Sequence, residues 1–156
     1  MKRAGSLLLV VFLFAGLSGC CVRLESPEEA VSQLDILFGW LGQAQLTGDD
    51  ALVGTRQCAD DYTGTYTAEC AHISGQEAVF GGMSVQERKL ALYAQIHTDS
   101  GSAILRICQG NDVKVYTVPN EEPIQINLSF SGGGNYIMLG YENFSGTVQM
   151  HVSYSG

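Results

Sequence analysis

The first candidate for covalent chemistry is a cysteine near the start of the chain, at the end of an apolar run. Residues 7–17, LLLVVFLFAGL, follow two basic residues and contain no charge. This run is too short for a hydrocarbon core that needs roughly 20 helical residues, and it has the flanks of a secretory signal peptide. Ser18 and Gly19 are small enough to let an extended backbone enter a peptidase cleft, and Cys20 supplies a thiol that can be alkylated.

The tetrapeptide Leu17-Ser18-Gly19-Cys20 resembles the lipobox of bacterial lipoproteins. The resemblance implies that residues 1–19 are removed and that Cys20 carries a diacylglyceryl group. Two acyl chains give stable anchoring, because each buried CH₂ contributes about 0.8 kcal/mol. The expected location is the extracytoplasmic side of a cell membrane, either a Gram-positive plasma membrane or a Gram-negative outer membrane. A plain secretory signal and an uncleaved anchor are the alternatives, and Cys21 is either a bystander or a second acylation target.

Composition limits the classes of partner. Removing residues 1–19 from the 156 leaves 137, which is the size of one domain. The removed leader contains Lys2 and Arg3, so the formal charge changes from −8 to −10. The remaining basic residues are scattered, which argues against nucleic acid as a partner and against binding to anionic lipid through charge.

A short tether, residues 20–26, precedes a predicted amphipathic helix over residues 27–46. Ser26-Pro27-Glu28-Glu29 has the form of a capping box with proline in the first turn. Apolar residues then recur at helical spacing and form one stripe about 120° wide. The stripe consists of Val31, Leu34, Leu37, Phe38 and Leu41.

Ile36 and Trp40 lie four residues apart on the opposite side of this helix. Two interpretations remain open. The helix is covered on both sides by the rest of the protein, or Ile36 and Trp40 contact the membrane interface or a partner protein, where amphipathic aromatic side chains are common.

Residues 47–61 are polar and contain glycine, which is typical of a connector. The pairs Asp49-Asp50 and Asp60-Asp61 do not have the alternating oxygen ligands of a calcium loop, so solvated acidic side chains are expected.

Residues 62–156 are predicted to form an all-β domain, a two-sheet antiparallel β-sandwich of jelly-roll-like type preceded by the one N-terminal helix. Short segments rich in Val, Ile, Tyr and Thr alternate apolar and polar residues and are separated by Gly, Ser and Asn. Tight turns are expected at residues 99–102 and 110–112. Eight strands are predicted, at residues 64–71, 75–81, 88–97, 102–109, 112–118, 124–130, 135–141 and 146–154.

Two segments of this domain have similar sequences, which we call the internal echo. Ile73-Ser74-Gly75 matches Phe144-Ser145-Gly146, and each is followed by an alternating segment. The match indicates one supersecondary unit used twice or a chance likeness around Ser-Gly.

The closing segment, residues 132–154, resembles the end of jelly-roll modules of the pre-peptidase C-terminal type. The segments TYTAE (65–69) and FGG (80–82) are similar to small lipoproteins of Gram-positive gut anaerobes. These resemblances imply a sandwich and carry no site.

No catalytic constellation is found. His72, His97 and His151 have no partner at metal-ligand spacing, and the sequence contains no GxSxG nucleophile elbow. The predictions are therefore no catalytic residue, no cofactor and no metal. Pairing among Cys21, Cys58, Cys70 and Cys108 is left open, with buried thiols the simplest expectation for Cys70 and Cys108.

The predicted function is a lipid-anchored, non-catalytic binding or adhesion module with an unassigned ligand. Tyrosines in the strands would serve a glycan site or simply the sheet boundary. The alternative is a structural or accessory subunit that docks an envelope protein through the N-terminal helix.

Overall fold

The structure is a computed structural model, and it describes residues 46–156. The predictions for the signal peptide, for Cys20 and Cys21, and for the helix with Ile36 and Trp40 lie outside these residues. Within the described part of the chain, no helix has the length and apolarity needed to cross a membrane.

The described chain is built almost entirely from antiparallel strands. A single-turn 3-10 helix, Asp49–Ala51, comes first. The strands are β1 (Thr55–Cys58), β2 (Gly64–Ser84), β3 (Arg88–Gln109), β4 (Asp112–Tyr116), β5 (Ile124–Phe130) and β6 (Gly133–Tyr154). Their spatial order is β1-β2-β6-β3-β4, and β5 pairs with the first half of β3 on the edge away from β6.

Three strands are much longer than usual and must fold over. β2, β3 and β6 have 21 or 22 residues, whereas strands commonly have 3–10. In β2 the Tyr66 hydroxyl lies 2.5 Å from the Glu77 carboxylate. Eleven residues of straight strand would span about 36 Å, so β2 turns back on itself between these two residues.

The bent strands divide the structure into two layers. Sheet I contains β1, residues 64–70 of β2, 146–154 of β6, 88–98 of β3, and β5. Sheet II contains residues 75–84 of β2, 133–142 of β6, 102–109 of β3, and β4. The predicted two-sheet, all-β sandwich is confirmed. Three pairs of predicted strands are halves of single bent strands, which reduces the predicted eight to five, and β1, which was not predicted, brings the described chain to six strands.

The internal echo marks the bend in β2 and β6. Ile73 and Phe144 are paired across the two strands, and the residues before them, His72 and Asn143, have φ of 53° and 45°. Ser145 Oγ accepts the His72 backbone N–H at 3.0 Å, and Ser74 Oγ accepts the Asn143 N–H at 2.8 Å. The two copies therefore form one reciprocal, pseudo-twofold corner.

The bend in β3 corrects one turn prediction. Residues 99–102 were expected to form a tight turn, and that prediction is wrong. β3 continues through them, with Ser100 paired to Ser145 and Gly101 at φ 71°. A Cβ at Gly101 would collide with the backbone carbonyl of Asn143, so the close approach of β3 to the corner requires glycine. The turn predicted at residues 110–112 is confirmed, since Gly110, at φ 58°, joins β3 to β4.

The core lies between the sheets and follows the period of two. Leu90, Leu92 and Ile96 of sheet I point inward, as do Leu105 and Leu139 of sheet II, and each is at most 1% exposed. Their side chains belong to one continuous apolar cluster.

The segment predicted as a connector, residues 47–61, contains the 3-10 helix and β1. Its Arg56 side chain closes the edge of β2, because the guanidinium donates to the Val79 carbonyl at 2.8 Å and to the Thr47 carbonyl at 3.1 Å. Asp49 accepts from the same guanidinium at 2.7 Å. β1 has no apolar alternation of its own, so sequence periodicity did not reveal it.

Candidate binding face

The outer face of sheet I is polar and almost uncharged. Because the alternate residues point into the core, every second residue of each strand points to solvent. The side chains of this face are Thr55 and Gln57 of β1, Thr65, Thr67 and Glu69 of β2, Thr147, Gln149, His151 and Ser153 of β6, Lys89, Ala91, Tyr93, Gln95 and His97 of β3, and Gln125, Asn127 and Ser129 of β5.

Strand register aligns these side chains in rows across the sheet. His151 is paired with Thr65 on one side and with Tyr93 on the other, and Tyr93 is paired in turn with Gln125. In the next row Gln149 lies between Thr67 and Gln95. Neighbouring strands are about 4.8 Å apart, so each row presents amide, hydroxyl and ring groups at regular spacing.

The charged side chains of this face lie at its two ends. Glu69 and Lys89 are its only Asp, Glu, Lys or Arg residues in the described part of the chain. The full sequence carries a formal charge of −8, so its acidic residues lie mainly on other surfaces. A face without net charge on an acidic protein is suited to a ligand that is itself neutral.

Two shallow depressions lie on this face along β1, β2 and β6. The larger, about 470 Å³, is lined by Val53, Gly54, Thr55, Thr67, Ala68, Glu69, Thr147, Val148 and Gln149. The smaller, about 360 Å³, is lined by Gln57, Cys58, Ala59, Thr63, Gly64, Thr65, His151, Val152, Ser153 and Tyr154. The polar rows thus border two open hollows rather than a closed cavity.

A buried carboxylate positions the rim of the larger depression. Glu77 is 3% exposed, and its Oε1 accepts the hydroxyls of Tyr66 at 2.5 Å and Tyr141 at 2.6 Å. Its Oε2 accepts the backbone N–H of Val53 at 2.9 Å, which fixes the segment before β1. Burial, followed by the hydrogen bonds to Glu77, raises the pKa of both tyrosines well above the ordinary value.

Asp60 positions the rim of the smaller depression. Its Oδ1 accepts the N–H groups of Tyr62 and Thr63 and the Thr63 hydroxyl, and its Oδ2 accepts the Tyr154 hydroxyl at 2.7 Å. Partial burial acts to raise the pKa of Asp60, but these hydrogen bonds outweigh it and hold the pKa below the ordinary value. Asp60 was expected to be a solvated acid, and the structure instead shows it organising the turn after β1.

The far side of the face is ordered by Tyr93 and Gln95. The Tyr93 hydroxyl donates to Gln95 Oε1 at 2.9 Å, which holds the amide in one orientation. Where β3 leaves sheet I, just before its bend, His97 lies 3.2 Å from Asp99 and 3.1 Å from Glu121, all three substantially exposed. These pairs tie the bend of β3 to the loop before β5.

The described residues do not assemble a catalytic group from the three histidines. His97 and His151 lie in strands on the outer face of sheet I, as their sequence pattern indicated, and His72 lies at the corner. Ser145 Oγ is 3.5 Å from the His72 ring, but Ser74 occupies the equivalent place without a histidine, so the serine serves the corner. Within residues 46–156, no three His, Cys, Asp or Glu side chains are grouped to hold a metal ion.

The cysteines of the described chain are separate thiols. Cys58 is exposed, Cys70 is buried and Cys108 is half-buried, and all three are free. The buried thiol expected at Cys70 is confirmed. Any pairing that involves Cys21 lies outside the described residues.

The polar rows were not singled out from the sequence. The tyrosines considered for a glycan site are mostly structural, since Tyr62, Tyr66, Tyr136 and Tyr141 are buried and Tyr93 alone projects from the middle of this face. A usable signal was present in the alternation of Thr and Gln with apolar residues, as in TYTAE (65–69) and TVQMHV (147–152).

The sequence matches no protein-family model and no curated protein. Among solved structures, a carbohydrate-binding module from Cellvibrio mixtus lichenase 5A, in complex with cellotriose, is similar with 10% identity and a TM-score of 0.39, over 74% of this chain and 95% of that one. The module CBM1 of BiXyn10A is similar with 12% identity and a TM-score of 0.39, over 66% and 88% of the two chains. The secreted serine protease VesC from Vibrio cholerae gives 14% identity and a TM-score of 0.37, over 83% of this chain and 27% of that one. Likenesses at this level carry no information about function.

Proposed function

We propose that this protein is a non-catalytic binding module, anchored by a lipid on Cys20 at the extracytoplasmic side of the membrane, whose sheet I outer face binds a neutral polysaccharide. The observation that carries the proposal is the pair of rows formed by Thr65, His151 and Tyr93 and by Thr67, Gln149 and Gln95.

The side chains of these rows match the chemistry of a sugar. Amides and hydroxyls both donate and accept hydrogen bonds, as do the hydroxyl groups of a pyranose ring. Tyr93 supplies an aromatic surface with a polar tip, against which the apolar face of a sugar can pack. An extended chain of sugars suits an open face better than a compact ligand, which would be buried in a closed pocket.

Charge selects among polysaccharides. A mature chain at −10 repels polyanionic glycans at long range, and the face has no cluster of basic side chains to offset that repulsion. Neutral glycans are therefore favoured over glycans that carry uronate or sulfate groups.

The binding experiment uses affinity electrophoresis of the mature chain through gels that contain neutral polysaccharides, with a uronate-bearing polysaccharide run beside them. We expect retardation by at least one neutral polymer. The double substitution Gln149→Ala and His151→Ala removes the middle of both rows, and a loss of tenfold or more in affinity is expected, equal to about 1.4 kcal/mol.

The matched control is Gln86→Ala, an exposed glutamine in the loop between β2 and β3. It should leave retardation unchanged. Equal retardation of the original and doubly substituted chains would reject the polar rows as the site. Retardation by the uronate polymer alone would reject the neutral ligand.

The anchor is tested separately by intact-mass measurement of the membrane-extracted protein. A chain that begins at Cys20 and carries the mass of a diacylglyceryl group is expected. The variant Cys20→Ala should retain its leader and carry no lipid. An unmodified Cys20 at the amino terminus of the original chain would contradict the anchor and leave the binding face untouched.

A further inference from the structure

β4 forms an open edge of sheet II. Within residues 46–156 it pairs with β3 alone, in a register that runs from Leu105 opposite Tyr116 to Gln109 opposite Asp112. No strand of the described chain lies along the other side of β4. That side therefore presents backbone N–H and C=O groups to which another strand can be added.

The side chains of β4 are exposed on both surfaces of the sheet. Asp112, Val113, Lys114 and Val115 are all exposed, and the two valines are 55% and 58% exposed. Valine favours strands, so the segment keeps strand chemistry although little of it is buried. An exposed edge of this kind pairs with a further strand unless its side chains prevent it.

Two charged residues restrict which strand fits this edge. A lysine on an edge strand normally opposes pairing with another chain, because its charge is brought against the added strand. Lys114 has Asp112 two residues before it, on the same surface of the sheet. A partner strand that places a carboxylate opposite Lys114 and a cation opposite Asp112 removes this opposition, and a second β4 carries both groups.

Symmetry defines the register of two β4 strands. Two antiparallel copies are related by a twofold axis perpendicular to the sheet, and residues directly opposite each other point to the same surface. With the axis at Val113, Asp112 of each copy lies opposite Lys114 of the other copy, and the two Val113 side chains meet. An axis at Lys114 would instead set two lysines opposite each other, which is destabilising.

We propose that this protein associates with a second copy of itself through β4, as an antiparallel pair centred on Val113 that joins the two copies of sheet II into one continuous sheet. The contact is short, so the dimer is weak and reversible. Because the twofold axis is perpendicular to sheet II and the two sheets of a sandwich are stacked, the outer faces of both copies of sheet I point to the same side. The proposal does not depend on the polysaccharide ligand.

Sedimentation velocity of the mature chain in nonionic detergent measures the association. A concentration series should show a monomer–dimer equilibrium. The formal charge of −8 opposes association at long range. The series is therefore run at an ionic strength of about 0.15 M, where the Debye length is about 8 Å.

Charge exchange tests the register. Asp112→Lys sets lysine against lysine in both cross-strand pairs, and Lys114→Glu sets acid against acid. Each should raise the dissociation constant of the dimer by tenfold or more. An equimolar mixture of the two variants again has opposite charges in both pairs, so it should form a heterodimer about as stable as the original dimer.

The matched control is Asp50→Lys, at an exposed residue of the 3-10 helix. It makes the same change in net charge as Asp112→Lys and should leave the dissociation constant within about twofold. Urea unfolding of every variant is measured in parallel. If a charge reversal lowers the urea midpoint, Asp112→Asn and Lys114→Gln replace the reversals, and each should still weaken the dimer.

Three outcomes would overturn the proposal. The original chain remains monomeric at every concentration, or it forms a dimer whose dissociation constant is unchanged by substitutions at Asp112 and Lys114, which would place the contact on another surface. The third is a mixture of the two folded charge-reversed variants that stays monomeric, which would reject the pairing of Asp112 with Lys114.

Discussion

The two outer faces of the sandwich come from the same three bent strands and differ in almost every side chain. In β6, outward residues before the corner include Tyr136 and Met138, and those after it include Thr147, Gln149 and His151. Core packing constrains the side chains that point inward from each strand. The side chains that point outward are less constrained by the fold, so their chemistry indicates the surroundings of each face. The outer face of sheet I is thus polar and almost uncharged, whereas that of sheet II combines apolar side chains such as Met138 with the polar Gln76, Arg106 and Glu142 near the corner.

The corner that creates both faces should be the most sensitive point of the molecule. Gly146 has φ 147°, and a Cβ there would collide with the His97 carbonyl of β3. Gly146→Ala should lower the free energy of unfolding by about 4 kcal/mol, because β3 must move away from the corner as well as accept a strained backbone. Urea unfolding measures the change.

The pseudo-symmetric residue supplies the control for that experiment. Gly75 has nearly the same φ, 143°, but no atom lies within 4 Å of where its Cβ would stand. Gly75→Ala carries only the backbone penalty, about 1 kcal/mol. Equal effects at the two glycines would show that the approach of β3 does not constrain the corner.

The link between the interior and the polar face runs through Glu77. Glu77→Leu leaves the Tyr66 and Tyr141 hydroxyls and the Val53 N–H without their acceptor, so we expect a loss of about 3 kcal/mol in unfolding free energy. Release of Val53 should also weaken polysaccharide retardation. Glu142→Leu, at an exposed residue of β6, is the control and should change stability by less than about 0.5 kcal/mol. Stability retained in Glu77→Leu would contradict a structural role for this carboxylate.

The same cluster predicts instability in alkali. The pKa values of Tyr66 and Tyr141 are raised in the folded protein, first by burial and then by Glu77. Their contribution to stability is complete below the unfolded tyrosine pKa of about 10 and is lost as pH rises toward the folded values. Between pH 8 and pH 11 we expect a loss of about 2–3 kcal/mol from the two tyrosines together.

Urea titrations at the two pH values, repeated with Tyr66→Phe, measure the alkaline loss. The substituted chain should lose about half as much stability between them, since one of the two ionising groups is gone. An identical pH dependence in both chains would place the sensitive group elsewhere.

The sequence predicted what depends on local alternation and missed what depends on contacts between distant strands. Leu90 and Leu92, or Leu128 and Phe130, show their inward side by period two, and both pairs are buried. The Ser-Gly motifs resemble ordinary turns, and only the pairing of Ile73 with Phe144 shows that they form a corner. β1 is held through Arg56 and not by its own apolar pattern, and the role of Glu77 needs residues 66, 141 and 53 to meet. The candidate face was missed for the same reason, because its rows exist only once the register of five strands is known.

The smallest stability effect is expected on the polar face itself, and it separates binding from folding. Thr67→Val with Gln149→Val replaces adjacent outward side chains of β2 and β6 by a residue that favours strands. If these polar groups serve a ligand and not the fold, the unfolding free energy should change by less than about 0.5 kcal/mol while polysaccharide retardation is lost. The matched substitution on the other face, Val113→Thr with Val115→Thr at exposed residues of β4, should leave retardation unchanged. A fall of more than about 1 kcal/mol in the first variant would mean that the polar rows stabilise sheet I, and the contrast between the two faces would then reflect folding rather than function.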